Sequence, residues 1–169
     1  LGFVVLQHFL ESISGNTLDD LFVNLVAGPL GIETIRFLPI GCPPYCILNV
    51  APTTVVEEWR KVSFPDFAVC DGLLCGAVHD PIAFLQGGVS GNAGLFGNIL
   101  GVARFTQLCL RSHSPPRHDI TLAGWKKLFQ WVTPQAGSRA LGWDTWSPGC
   151  SAGTRFSKSS FGHTGYTGT

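Results

Sequence analysis

The chain has 169 residues, 45% of them hydrophobic and only 13% charged, and its 11 basic and 11 acidic side chains cancel. A neutral balance excludes the basic surface that nucleic acid or an anionic membrane demands, and the length suits one domain or a large part of one. No apolar run approaches the roughly 18 residues needed to cross a bilayer, because the longest are broken at Gln7, Gly28 and Pro29.

Phe3, Leu6, Leu10 and Ile13 recur at helical spacing before Gly15, and Leu18, Leu21, Phe22 and Leu25 do so before Gly28-Pro29. This predicts two helices, with Ser14-Gly15-Asn16 as the turn that ends the first and Thr17 as the N-cap of the second. From Pro39 to Asp80 the periodicity fades while Pro, Cys and Gly accumulate, so a long excursion with short elements is expected. A third helix is predicted from Ile99, Leu100, Val102, Ala103 and Phe105 through Leu110. A fourth is predicted from Leu122, Trp125, Leu128 and Phe129 after a cap at Thr121, with the polar stretch Ser112 to His118 between them. Leu141 to Trp146 and Phe161 to Thr167 are expected to be two strands joined by a Ser/Gly-rich turn. Helices first and a strand pair last give the α+β class.

At the end of the chain, Phe161, His163 and Tyr166 sit among Thr and Gly, a composition that favours an extended segment which another backbone or a ligand can approach closely. An imidazole there titrates near neutral pH or donates to a substrate carboxylate. On these residues alone His163-Thr164-Gly165 stays open between an ordinary strand-and-turn and a catalytic edge. The glycine-rich stretch Leu85 to Phe96 has neither the Lys of a P-loop nor the spacing of a dinucleotide fingerprint, so a phosphate cradle is set aside. His79 and Asp80 are neighbours whose side chains diverge in an extended segment, which favours a structural role over a catalytic pair. Trp143 and Asp144 are expected to anchor a strand.

Cys42 and Cys46 are separated by three residues and Cys70 and Cys75 by four, with Cys109 and Cys150 left over. These spacings, with apolar and proline-bearing fill, depart from the usual zinc knuckle, so free thiols are favoured over disulfides and over zinc. No metal site and no cofactor are assigned.

Val78-His79-Asp80, the stretch Leu85 to Phe96, Val102-Ala103-Arg104-Phe105, Ala140-Leu141-Gly142-Trp143-Asp144 and His163-Thr164-Gly165 follow one another in an order that resembles the serine β-lactamase-like hydrolases and penicillin-binding proteins. The resemblance extends over nearly the whole chain. In that family a Ser-x-x-Lys nucleophile comes first, a Tyr-containing motif second, and Lys-Thr-Gly or His-Thr-Gly third. His163-Thr164-Gly165 matches the third, and Leu1-Gly2-Phe3 resembles the residues that directly follow the second. No Ser in the chain has Lys three residues later, so no nucleophile is assigned, and the first two motifs are expected upstream of Leu1. The absence of Met and the apolar first residue agree with an incomplete polypeptide.

The resemblance implies a partial β-lactamase/transpeptidase-like domain over residues 1–169, holding most of the helical region and two strands of the sheet. It implies that His163 lies on a strand walling a cleft, where it orients a substrate carboxylate or assists proton transfer. Thr164 and Gly165 complete the motif, the Tyr166 backbone N–H supplies one oxyanion donor, and Gly91, Asn92 and Gly94 lie on the cleft rim. His in place of the commoner Lys leaves peptide, ester and amide substrates open. The function implied is that of a fragment of a serine hydrolase or acyltransferase acting on a small-molecule or peptide substrate (a β-lactam, peptide or ester) through an acyl-serine. The alternative is a non-catalytic homologue that binds a ligand.

Overall fold

A computed structural model describes residues 1–41, 49–63, 69–113, 138–150 and 153–165. The chain divides into two units, Leu1–Phe105 and Thr106–Thr169.

In the first unit, α1 (Gly2–Ser14) ends where the spacing predicts: Gly15 turns left-handed, and its N–H bonds the Glu11 carbonyl at 2.9 Å. α2 (Leu18–Phe22) is capped as expected by Thr17, whose hydroxyl accepts from the Asp20 N–H at 3.2 Å. Glu11 ties the two helices together, because its carboxylate accepts from the Leu18 N–H at 2.9 Å.

The second predicted helix does not stop at Gly28-Pro29. A widened turn, Val23–Ala27, continues into the short α3 (Gly28–Leu30), which ends at left-handed Gly31. In the widened turn the Gly28 N–H reaches back five residues to the Val23 carbonyl. That extra residue per turn absorbs Pro29, which has no N–H to give and whose ring crowds the carbonyl four residues back in a regular helix.

β1 (Arg36–Phe37) pairs antiparallel with β5 (Leu95–Phe96) in the register Arg36 with Phe96 and Phe37 with Leu95. Buried Phe37 meets the Phe22 ring edge-on at 5.9 Å, which fixes this ribbon against α2. Between the two strands lies the expected excursion. β2 (Pro52–Val55), β4 (Leu73–Cys75) and β3 (Val69–Cys70) form an antiparallel sheet in the order β2-β4-β3. Asp71 and Gly72, at φ 51° and 77°, close the β3–β4 hairpin as a two-residue turn.

The excursion also carries the core. Leu74, Ala77, Val78, Ala83 and Phe84 form one buried cluster, with Ile40, Val56, Trp59 and Ala93 packed against it. α4 (Glu58–Ser63) and α5 (Pro81–Leu85) contribute to that cluster, and α5 starts where Asp80 Oδ1 accepts the Ala83 N–H at 2.8 Å. The structural role expected of His79-Asp80 is therefore specific: Asp80 is the cap.

Arg60, on α4, is only 1% exposed. Its guanidinium lies 4.4 Å from the Trp59 ring centroid and 4.6 Å from that of Phe84. It donates to the carbonyls of His79 at 2.6 Å and Val78 at 3.3 Å, and its Nε donates to half-exposed Glu57 at 3.2 Å. A buried cation is tolerable only when its donors are matched in this way, and the flat guanidinium suits both the aromatic faces and the carbonyl pair.

α6 (Ile99–His113) matches the third predicted helix. In the second unit, β6 (Asp144–Thr145) pairs antiparallel with β7 (Phe161–Gly162), so the terminal strand pair forms. Both strands are shorter than predicted. The next residue of β6 able to face β7 with its N–H and carbonyl is Gly142, which sits in a turn at φ 77°, so the ladder ends at Gly162 and His163 follows the strand rather than lying on it. Trp143 packs edge-on against Phe161 at 5.2 Å, and Asp144 pairs with Arg139 at 3.0 Å, as expected of strand anchors.

The helix predicted around Leu122 to Phe129 lies outside the described residues, as do Cys42, Cys46 and the side chain of Cys70. Cys75 and Cys109 are buried thiols and Cys150 a partly buried one. Burial pushes the Cys109 thiol up to about 11. Among the described residues, no helix is long and apolar enough to cross a membrane, and no group of three His, Cys, Asp or Glu side chains converges.

Two outcomes follow. Arg60→Ala strips the Val78 and His79 carbonyls of their donor and empties the space between two rings, so urea denaturation will show a loss of about 3 kcal/mol, with Arg60→Lys restoring only part of it. Iodoacetamide at pH 8 will alkylate Cys150 in the folded chain and leave Cys109 unmodified until denaturant is added, as read by peptide mass spectrometry.

Candidate functional site

The glycine-rich loop is held from two sides. From the α5 side, the Gly87 and Gly88 N–H groups bond the carbonyls of Phe84 and Ala83 at 3.0 and 2.9 Å, and the Gly87 carbonyl accepts from the Ile40 N–H at 2.8 Å. From α1, the buried carboxamide of Gln7 grips the loop. Its Oε1 accepts the Gly91 N–H at 2.9 Å, while its Nε2 donates to the Val89 carbonyl at 3.4 Å and to Glu11 Oε1 at 3.1 Å. Gly91 lies so close to α1 that a Cβ there would strike the Phe3 carbonyl oxygen and stand 2.9 Å from its carbon. Gly94, at φ 116°, is equally constrained, since a Cβ would meet the Gly88 carbonyl oxygen. These glycines are where they are because backbone packs on backbone.

Gly91, Asn92 and Gly94 are thus brought together on one locked loop of the first unit. The Gly91 N–H is committed to Gln7, which agrees with setting aside a phosphate cradle built from free N–H groups. Within the loop the Ser90 hydroxyl donates to Asn92 Oδ1 at 2.7 Å, with Ser90 buried and Asn92 exposed.

His163, Thr164 and Gly165 lie in the second unit, exposed, immediately after β7. Tyr166, expected to supply an oxyanion N–H, lies outside the described residues. The His163 ring is 2.8 Å through Nδ1 from the Thr164 carbonyl oxygen. A carbonyl only accepts, so this bond requires the proton on Nδ1 and makes Nε2 the unprotonated nitrogen of the neutral ring. In that form Nε2 takes up a proton or accepts a hydrogen bond. It donates to a carboxylate only after a second proton is added.

Gln7 was not singled out by the sequence pattern, and Ser90 only with Gly91 and Asn92 as part of the glycine-rich loop. Gln7 did leave a trace: Val4, Gln7 and Glu11 share a helical face, so two polar residues fall at core spacing in a helix otherwise rich in Leu, Val and Phe. Ser90-Gly91-Asn92 fits a loose Ser-x-Asn pattern, but a match that short is ordinary loop composition.

No family model matches the chain, and no solved structure matches it. Curated proteins do. The chain is 33% identical over 179 aligned positions to a protein of Escherichia coli K12 provisionally named D-alanyl-D-alanine carboxypeptidase. It is 32% identical to the protein of the same name from Escherichia coli O157:H7, and 30% identical to that from Salmonella agona. Each match covers 100% of this chain but only 38% to 40% of the relative, so the chain spans about two fifths of the length of these proteins.

Gly91→Ala will drive a methyl group into α1 and lower stability by about 2 kcal/mol in urea denaturation. Gln7→Glu keeps the acceptor for Gly91 but removes the Nε2 donors and sets a second carboxylate beside Glu11. It will cost about 2 kcal/mol at neutral pH, and the cost will shrink as pH falls into the carboxylate range, which a denaturation series from pH 7 to pH 4 will read.

Proposed function

We propose that this chain is part of a serine hydrolase related to the β-lactamases and penicillin-binding proteins, which cleaves an amide or ester through an acyl-serine intermediate. Peptides ending in D-alanyl-D-alanine are the proposed substrate class. The observation that carries the proposal is the similarity of the chain, along its full length, to proteins provisionally named D-alanyl-D-alanine carboxypeptidases. The fold proposed is a partial β-lactamase/transpeptidase-like domain.

The chemistry distributes over more than this chain. Attack by a serine oxygen on the scissile carbonyl forms a tetrahedral intermediate, and its negative charge needs backbone donors aimed at it. The role proposed for His163 is proton transfer through Nε2, or, once protonated, binding of the substrate carboxylate, with Thr164 holding the ring in place. Tyr166 is proposed to provide one oxyanion N–H. The nucleophile is proposed to come from polypeptide beyond these residues, since Ser-x-x-Lys does not occur among the 169. α1 supports the same view. It buries Val4 and Gln7 while Val5, Phe9 and Ile13 are exposed, the pattern of a helix that packs against additional chain.

The missing Ser-x-x-Lys also favours a second reading, a non-catalytic relative that binds peptide-like ligands. The two readings separate experimentally. The longest polypeptide of this reading frame will form a serine adduct with a fluorophosphonate probe, detected by mass spectrometry, and will release D-alanine from an acyl-D-alanyl-D-alanine peptide. The isolated 169-residue chain will give no adduct. His163→Ala in the longer protein will lower turnover about tenfold or more. Absence of any adduct in the longer protein refutes the hydrolase and leaves the binding module.

A further inference from the structure

We propose that the loop between β6 and β7 docks on an anionic lipid surface, with Arg155 and Lys158 meeting acidic head groups and the Phe156 ring entering the interface. The inference is independent of the reading above and stands whether or not the protein is a hydrolase.

It starts from charge. The neutral sum of the whole chain conceals a division: Leu1–Phe105 holds nine acidic residues against four basic ones, whereas Thr106–Thr169 holds seven basic residues against Asp119 and Asp144. The exclusion of an anionic membrane drawn from overall composition therefore does not extend to the second unit. From Thr145 to Thr169 there is no acidic residue, and Asp144, just before, is bound to Arg139 at 3.0 Å. Arg155 and Lys158 are both exposed, and among the described residues neither is paired with a carboxylate. Lys158 Nζ stands 5.5 Å from the Trp146 ring centroid, a contact that tethers the ammonium to the loop without using up its N–H donors.

Phe156 supplies the second signal. It is 65% exposed, in a loop otherwise rich in Ser and Gly. A lone exposed apolar side chain needs no explanation, but one set next to an arginine and two residues before a lysine can leave water while the cations stay at the head groups. The loop is ordered by its own turns. The Cys150 N–H bonds the Ser147 carbonyl at 3.1 Å, the Ser160 N–H bonds the Ser157 carbonyl at 3.0 Å, and the Trp146 N–H reaches the Ser160 carbonyl at 3.2 Å. The Phe156 ring is left out of that framework. Charge and apolar content together select the partner. A nucleic acid is held by a row of cations along its phosphates, and two cations do not make a row. A bilayer interface is held by a few cations and an apolar anchor, each too weak alone.

The test is sedimentation of the longest polypeptide of the reading frame with vesicles of equimolar phosphatidylglycerol and phosphatidylcholine, and with vesicles of phosphatidylcholine alone. The protein will bind the mixed vesicles about tenfold or more tightly than the neutral ones, and added salt will weaken that binding. Arg155→Ala combined with Lys158→Ala will weaken it about twentyfold and Phe156→Ala about tenfold, whereas Phe156→Trp will bind at least as tightly as the unsubstituted protein. Equal binding to the two kinds of vesicle, no binding to either, or unweakened binding in Phe156→Ala or in the double variant overturns the proposal. So does a lowered melting temperature of Phe156→Ala without vesicles, because the ring would then be packed inside the protein. A single-stranded oligonucleotide that displaces the protein from the vesicles and loses affinity in the same variants assigns the loop to nucleic acid and overturns it as well.

Discussion

A guanidinium withdrawn from water has to be surrounded by acceptors, and in the first unit the arrangement around Arg60 decides where much else can lie. Its two bonds to the Val78 and His79 carbonyls fix the backbone immediately before Asp80. Asp80 then caps α5, and Phe84 of α5 returns to cover the same guanidinium. The circuit closes on itself: the cation orders the segment that supplies the ring that shields it. Because a desolvated charge is far more costly when one partner is lost, the circuit behaves as a unit rather than as separable contacts.

The glycine-rich loop inherits its position from that circuit. α5 ends in the carbonyls that receive the Gly87 and Gly88 N–H groups, and from there the chain passes beneath α1 to meet Gln7. A carboxamide suits this junction because it offers an acceptor to one strand of the loop and a donor to the other, which no apolar or singly functional side chain can do. The consequence for α1 is inverted amphipathicity. The polar Gln7 faces inward, while Phe9 and Ile13 stand at the surface. Glycine at 91 completes the fit by letting the two backbones touch.

What the sequence disclosed and what it hid divide along physical lines. α1, α2 and α6 were legible because each depends on local signals: apolar residues every three or four positions, a threonine cap, a left-handed glycine. The pairing of β6 with β7 was legible for the same reason. The core was not, because Ala77 and Val78 come from the loop after β4 and Ala83 and Phe84 from the short α5, and no single periodicity marks them. The Asp71-Gly72 hairpin was a readable turn signal that the flanking cysteines obscured. Arg60 and Gln7 were invisible for a deeper reason, since a polar residue at a buried position is explained only by partners distant in sequence, here 82 and 84 residues away in the case of Gln7. Pro29 misled because a widened turn tolerates what a regular one does not.

The two places that carry the candidate chemistry are built on different terms. Asn92 rises from a loop fixed by wedged glycines, a buried serine and a buried carboxamide. His163 stands beyond the last ladder pair, exposed, with one ring nitrogen bonded to its neighbour's carbonyl. A ring held at one nitrogen suits a proton that must be gained and given up at the other. Ser-x-x-Lys does not occur among the 169 residues, and an oxyanion needs donors beside the serine that creates it, so under the proposed function attack on the substrate falls to polypeptide other than these residues.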